Sequence, residues 1–168
     1  MSVVVPSMEP DGSRSAQKAL YVPASEGVTR WFSGDVYTVK ATAASTNGSL
    51  GAIDASVPPG GGPVPHTHPG HDEIFYLLSG ELEFLNEDET FVAGPGDLVF
   101  VPRGNRHRFT NTGLHPARML FFYTPGGVEQ VFIEGGDEPT PGMQVTNWGP
   151  ERFGPALQDL LQKYGTEV

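Results

Sequence analysis

The chain contains no cysteine. That excludes a disulfide framework, thiolate catalysis and cysteine metal sites, so any bound metal must rest on histidine and carboxylate ligands. Long apolar runs are missing too: no stretch approaches the roughly 18 apolar residues of a membrane span, and no basic start leads into an apolar segment. The expectation is a cytoplasmic protein with no membrane partner. Basic residues are scarce, 10 against 20 acidic ones, for a formal charge of -10. A surface of that sign repels phosphate backbones and anionic lipid, which makes nucleic acid a poor partner.

Turn residues, in contrast, are plentiful. The 22 glycines and 16 prolines among 168 residues fall between short apolar runs, as punctuation does. A chain of this length is expected to form a single domain with a core large enough to need no staple. Residues 1–19 are rich in Ser, Pro and charge without a period that buries a face, and read as a flexible lead-in. The single domain is expected over 20–168.

Candidate strands lie at 21–22, 36–42 and 50–57, and then at 73–78, 81–85, 90–92, 97–101, 106–111 and 118–123. Gly51, Ile53, Ala55 and Val57 alternate with Ala52, Asp54 and Ser56, a period of two with small side chains that leave room for a cavity. Short strands at regular intervals with tight turns between them predict an all-β sandwich or barrel, here over about 31–124. Beyond Pro125 the period changes. Val128, Val131 and Phe132 share the face of a short helix, and Phe153, Leu157, Leu160, Leu161 and Tyr164 predict a second helix over 151–164, stopped by Gly165. A helical extension over 125–168 follows.

The chemistry concentrates in 65–76, which reads Pro-His-Thr-His-Pro-Gly-His-Asp-Glu-Ile-Phe-Tyr. On an extended chain positions i and i+2 point the same way. His66 and His68 can therefore set both imidazoles on one wall, and a loop through Pro69 and Gly70 can bring Glu73 to the same point. His107, just after the Pro102, Arg103 and Gly104 turn, offers a fourth group. Three nitrogens and a carboxylate suit one divalent transition metal ion and leave positions for water or substrate. Iron, nickel, manganese, cobalt, copper and zinc all accept such a set, so the ligands do not name the metal.

The spacing also carries a family resemblance. Gly60, five residues, His66-x-His68, four residues, Glu73, six residues and Gly80 make one motif; Gly96, five residues, Pro102-x-Gly104, two residues, His107, three residues and Asn111 make a second. Both resemble the motifs of the cupin family, and the resemblance covers residues 31–123. The stretches 31–35, 57–62 and 126–129, with Phe132, are similar to the single-domain quercetinase-like (flavonol dioxygenase-like) group. This implies a double-stranded β-helix, the cupin jelly-roll barrel, holding the metal on His66, His68, Glu73 and His107. It also implies a homodimer, in keeping with an open sheet edge expected near the N-terminal strands.

The function so implied is that of a metal-dependent dioxygenase. It would act with dioxygen on a small enol- or phenol-bearing substrate, flavonol- or polyketide-like, with Glu73 as both ligand and base. Two alternatives stay open: a non-oxygenase cyclase, isomerase or dehydratase that uses the metal as a Lewis acid, and a non-catalytic cupin that binds a small molecule. Phe75, Leu77, Leu82, Phe84, Phe109, Phe121 and Tyr123 share the parity of a barrel interior. Of these, Phe75, Phe84, Phe109, Phe121 and Tyr123 are the candidates to line a substrate pocket. His71 has the wrong offset from His68 for a ligand, His115 reads as surface, and Arg103, Arg106 and Arg108 are expected to pair with acids across strands.

Overall fold

The computed structural model of the chain describes residues 18–168. The expected lead-in over 1–19 therefore lies outside the described residues, except for Lys18 and Ala19, which are exposed and belong to no named element.

Among the described residues there are nine strands: β1 (Val28–Phe32), β2 (Asp35–Ala41), β3 (Gly51–Val57), β4 (Asp72–Ser79), β5 (Leu82–Asn86), β6 (Glu89–Ala93), β7 (Leu98–Val101), β8 (His107–Thr110) and β9 (Ala117–Thr124). They form two antiparallel sheets, one in the order β1-β2-β3-β9-β4-β7 and one in the order β6-β5-β8. Together these make the double-stranded β-helix. Inward positions alternate with outward ones as the period of two requires. On β3, Gly51, Ile53, Ala55 and Val57 are buried, and on β9, Ala117, Met119, Phe121 and Tyr123.

The register of β4 against β9 stacks the interior in layers: Leu77 faces Met119, Phe75 faces Phe121, and Glu73 faces Tyr123. Phe75, Phe84 and Phe121 are fully buried, each contributing about 1.5–3 kcal/mol of apolar burial. The third layer changes character. It sets a carboxylate and a phenol on top of a purely apolar floor, and that layer carries the site.

Three expectations are corrected. Residues 21–22 form no strand, and Tyr21 is 84% exposed. The outer strand is instead β1, held on β2 by a two-residue turn in which Ser33 and Gly34 both adopt positive φ, 53° and 97°. Such a turn matches the twist of the paired strands. Second, the helix expected over 151–164 is divided into a 3-10 turn, Pro150–Phe153, and α2, Pro155–Lys163. Gly154 between them is extended, since the residue before a proline is pushed out of the helical region, while Pro155 suits a helix's first turn. Gly165 does end the segment, at φ 77°. The shorter helix α1 spans Gln130–Gly135, so the periodic Val128 lies just ahead of it.

Third, the N-terminal sheet edge, β1, is open only in part. Trp31 and Asp137 exchange both backbone hydrogen bonds, at 2.9 and 2.8 Å, and cap the outer side of β1 at that residue. The opposite edge of that sheet is β7, where Leu98 and Phe100 are exposed. Among the described residues, no helix is long and apolar enough to cross a membrane.

Candidate metal centre

His66, Thr67 and His68 form an extended segment gripped from both sides. His66 exchanges two backbone hydrogen bonds with His107, both 2.9 Å, and Thr67 exchanges two with Glu167, at 2.8 and 2.9 Å. Because side chains alternate along such a segment, His66 and His68 turn to the same side, their ring centroids 4.8 Å apart. His107 starts β8, and Glu73 is the first inward residue of β4. The four residues offer ligand atoms that all lie within 4.8 Å of one another.

Each imidazole is oriented through its far nitrogen. The Nδ1 of His66 hydrogen-bonds the Val64 carbonyl at 2.9 Å, that of His107 the Asn105 carbonyl at 3.0 Å, and that of His68 the Gly165 carbonyl at 3.3 Å and the Thr166 hydroxyl at 3.2 Å. A carbonyl partner makes Nδ1 the donor and frees Nε2 as a ligand, the usual support of a metal-bound histidine. His107 Nε2 then meets Glu73 Oε2 at 2.7 Å. His68 Nε2 lies 3.2 Å from the same oxygen but is buried without a hydrogen-bond partner. A cation among the four would satisfy that orphan, so the donor set fits a divalent metal.

The charges agree. Burial alone would raise the Glu73 carboxyl, but the imidazoles of His107 and His68 hold it well below the usual carboxylate range. Burial likewise works against a charge on His107, yet hydrogen bonding to Glu73 raises it. His66, with no such hydrogen bond, is pushed down to about 4 by burial and by the two neighbouring imidazoles. The Tyr123 hydroxyl is raised well above its ordinary value by burial and by the Glu73 charge.

A cavity of about 230 Å³ opens beside the quartet. His66, His68 and Glu73 border it, with Phe109, Phe121 and Tyr123 from the predicted pocket set. Phe75 and Phe84 do not. Phase along a strand reveals the face but not the depth: Phe75 is enclosed by Phe84, Phe109 and Phe121, at centroid distances of 5.1, 5.8 and 5.8 Å, and belongs to the floor. The remaining wall comes from residues outside the motifs, including Phe32, Asp35 and Tyr37 from the first hairpin, and Leu157, Leu161 and Thr166 from the C-terminal segment.

Asp35 lies in a stretch that resembles the quercetinase-like group, yet nothing in its local sequence marks it as buried. Thr166, about a hundred positions from His68, carries no local signal either. His71 stays out of the quartet, its ring against Gly165. Arg103 pairs in a bidentate fashion with Asp72, and Arg108 pairs with Glu83. His115 is exposed. Asn111, the last residue of the second motif, ties Val57 and His115 together through its amide, both at 2.8 Å.

Residues 54–123 match the family described as Cupin domain. The chain is 34% identical over 125 residues to the tetracenomycin polyketide synthase protein TcmJ of Streptomyces glaucescens, a match spanning 74% of this chain and 69% of that one. The chain is a cupin. This cupin is also 29% identical over 118 residues to the quercetin 2,3-dioxygenase of Bacillus subtilis (strain 168), covering 70% of its own length but 35% of the relative's. Among solved structures, KdgF from Halomonas sp. superposes with a TM-score of 0.59 at 22% identity, over 67% of this cupin and 99% of that chain. At that identity the likeness speaks for the fold alone.

Proposed function

We propose that this cupin is a metal-dependent enzyme that binds an enol or phenol oxygen of a small substrate at His66, His68, Glu73 and His107, and that it is a dioxygenase. One observation carries the reading: four ligand groups converge, and three of them, His66, His68 and Glu73, stand at the wall of an aromatic-lined cavity. A divalent transition metal held there would supply Lewis acidity, and redox chemistry if iron, nickel, manganese, cobalt or copper. The chain's own residues do the rest. Phe109, Phe121 and Tyr123 orient a planar substrate and exclude water, while Glu73, kept ionised, takes the hydroxyl proton. The likeness to the Bacillus quercetin 2,3-dioxygenase supports the oxygenase reading.

A second reading has its own support in the higher identity to TcmJ, a protein named for polyketide synthesis. There the same centre would act without dioxygen, as a Lewis acid in a cyclisation, isomerisation or dehydration. The two separate cleanly. Metal-replete protein is expected to consume oxygen with flavonols or smaller enols, and His66→Ala and Glu73→Ala to abolish the uptake. No uptake with any of them removes the dioxygenase, and turnover under argon establishes the second reading. A second copy of the chain is the proposed protein partner, now through the open β7 edge, and a monomeric mass by light scattering would refute it.

A further inference from the structure

The cavity has a second polar corner that the proposed function leaves unused. Asp35 borders the cavity and is 2% exposed. Its Oδ2 accepts two hydrogen bonds, from the Tyr37 hydroxyl at 2.8 Å and from the Gly62 amide at 3.1 Å. Its Oδ1 is buried with no partner at all. An unpaired polar atom in an interior costs about 1–3 kcal/mol, more when charged, and a hydrophobic residue at this position would avoid that cost. The surroundings are shaped to keep the acid instead. A Cβ on Gly61 would collide with Oδ1, and Gly62, at φ +120°, passes so close to the Phe109 carbonyl that only glycine fits.

The corner is joined to the metal centre by rings. Tyr37 meets Phe121 at 5.9 Å between centroids, Phe121 meets Tyr123 at 5.6 Å, and Tyr123 meets His68 at 5.1 Å. Two aromatic side chains thus separate Tyr37 from a ligand histidine, with Phe32, Phe109 and Phe132 completing an apolar wall. Burial moves the Asp35 carboxyl up to about 7, against the pull of Tyr37 and Gly62. At about pH 8, a unit above that value, the group is mostly ionised, and its unpaired Oδ1 is then a buried acceptor without a donor.

We propose that Asp35, oriented by Tyr37 and Gly62, is a second recognition point of this cavity, whose free oxygen accepts a hydroxyl at the far end of an aromatic substrate. This rests on the metal-centred reading above and narrows it. The substrate class becomes compact aromatic ring systems with an oxygen at both ends, one for the quartet and a hydroxyl for Asp35. Ligand pockets usually run about 300–1,000 Å³, so a cavity of about 230 Å³ favours one or two rings.

Calorimetric titration of cobalt(II)-loaded protein tests the proposal, using a naphthalenediol with one hydroxyl on each ring and its monomethyl ether. Both ligands keep one hydroxyl for the metal. The native protein is expected to bind the diol about tenfold more tightly than the ether, since a site built to accept a hydroxyl rejects an analogue without it. Asp35→Asn is expected to erase that preference, because the amide must turn its oxygen to Tyr37 and Gly62 and present N–H groups at the free corner. Tyr37→Phe, which leaves the acid but lets it turn, is expected to weaken the preference, and cobalt affinity is expected to hold in both variants. Equal binding of the two ligands by the native protein, or an undiminished preference in D35N or Y37F, overturns the role of Asp35 and leaves the metal-centred function standing. Failure of the native protein to bind either ligand overturns the aromatic substrate class, and this inference with it.

Discussion

One cavity holds two buried carboxyl groups, and their surroundings drive them in opposite directions. Glu73 is as deeply buried as Asp35, yet its imidazole neighbours keep it ionised, whereas Asp35 has only a phenol and one amide and climbs to about 7. Partners that can carry positive charge stabilise the anion, while neutral donors do so only in part. The comparison assigns each end its chemistry. The Glu73 end is organised around a charge and suits a cation, and the Asp35 end, which titrates near 7, suits a hydrogen bond.

The comparison breaks most sharply at the charged end. Glu73→Ala or His66→Ala is expected to lower metal affinity by more than about 100-fold, since loss of a ligand should exceed the 10–100-fold typical of its supporting partners. Chelator competition measures this directly, and retention of tight binding would dissolve the quartet as a metal centre. Next is the stability cost of the other acid. Because burial makes the folded chain hold the Asp35 proton more firmly than the unfolded chain does, stability is expected to fall as pH rises from 3.8 to about 7, and to level off above. Asp35→Asn removes that slope, a difference on the order of 4 kcal/mol in urea unfolding across the window. Parallel curves for the two proteins would contradict it.

A smaller effect returns to the metal. His107 holds its proton above the ordinary histidine value because Glu73 accepts it, and a metal must displace that proton. Apparent affinity is therefore expected to fall as pH drops through the raised His107 value, by up to about tenfold per unit. A pH-independent affinity would show that the proton is absent. The smallest effect is at Thr166→Val, which removes one of the two groups on His68 Nδ1. Metal affinity is expected to weaken several-fold, with Thr166→Ser restoring it.

The barrel was readable because alternation and turn residues are local. Strands β2 to β9 follow the apolar runs closely, and the two motif spacings located His66, His68, Glu73 and His107. What escaped was decided by distance or depth. Strand β1 contains Thr29 and Arg30 and half-buried positions, so its strand character comes from pairing with β2 rather than from its own pattern. Phe75 and Phe121 share a face and a layer, yet only Phe121 reaches the cavity. Asp35 and Thr166 look like ordinary surface residues until the fold encloses them.

The two-way pairing of Thr67 with Glu167 makes the ligand segment the middle member of a three-stranded ribbon, with His107 on one flank and the C-terminal segment on the other. Ordering His68 for a cation and docking that segment then share one free energy, and thermodynamic reciprocity links them. Loading the ion should slow hydrogen exchange at the Glu167 amide, and whatever loosens α2 should loosen the grip on the ion. The wall that closes the cavity is in this way also a reporter of what the centre holds.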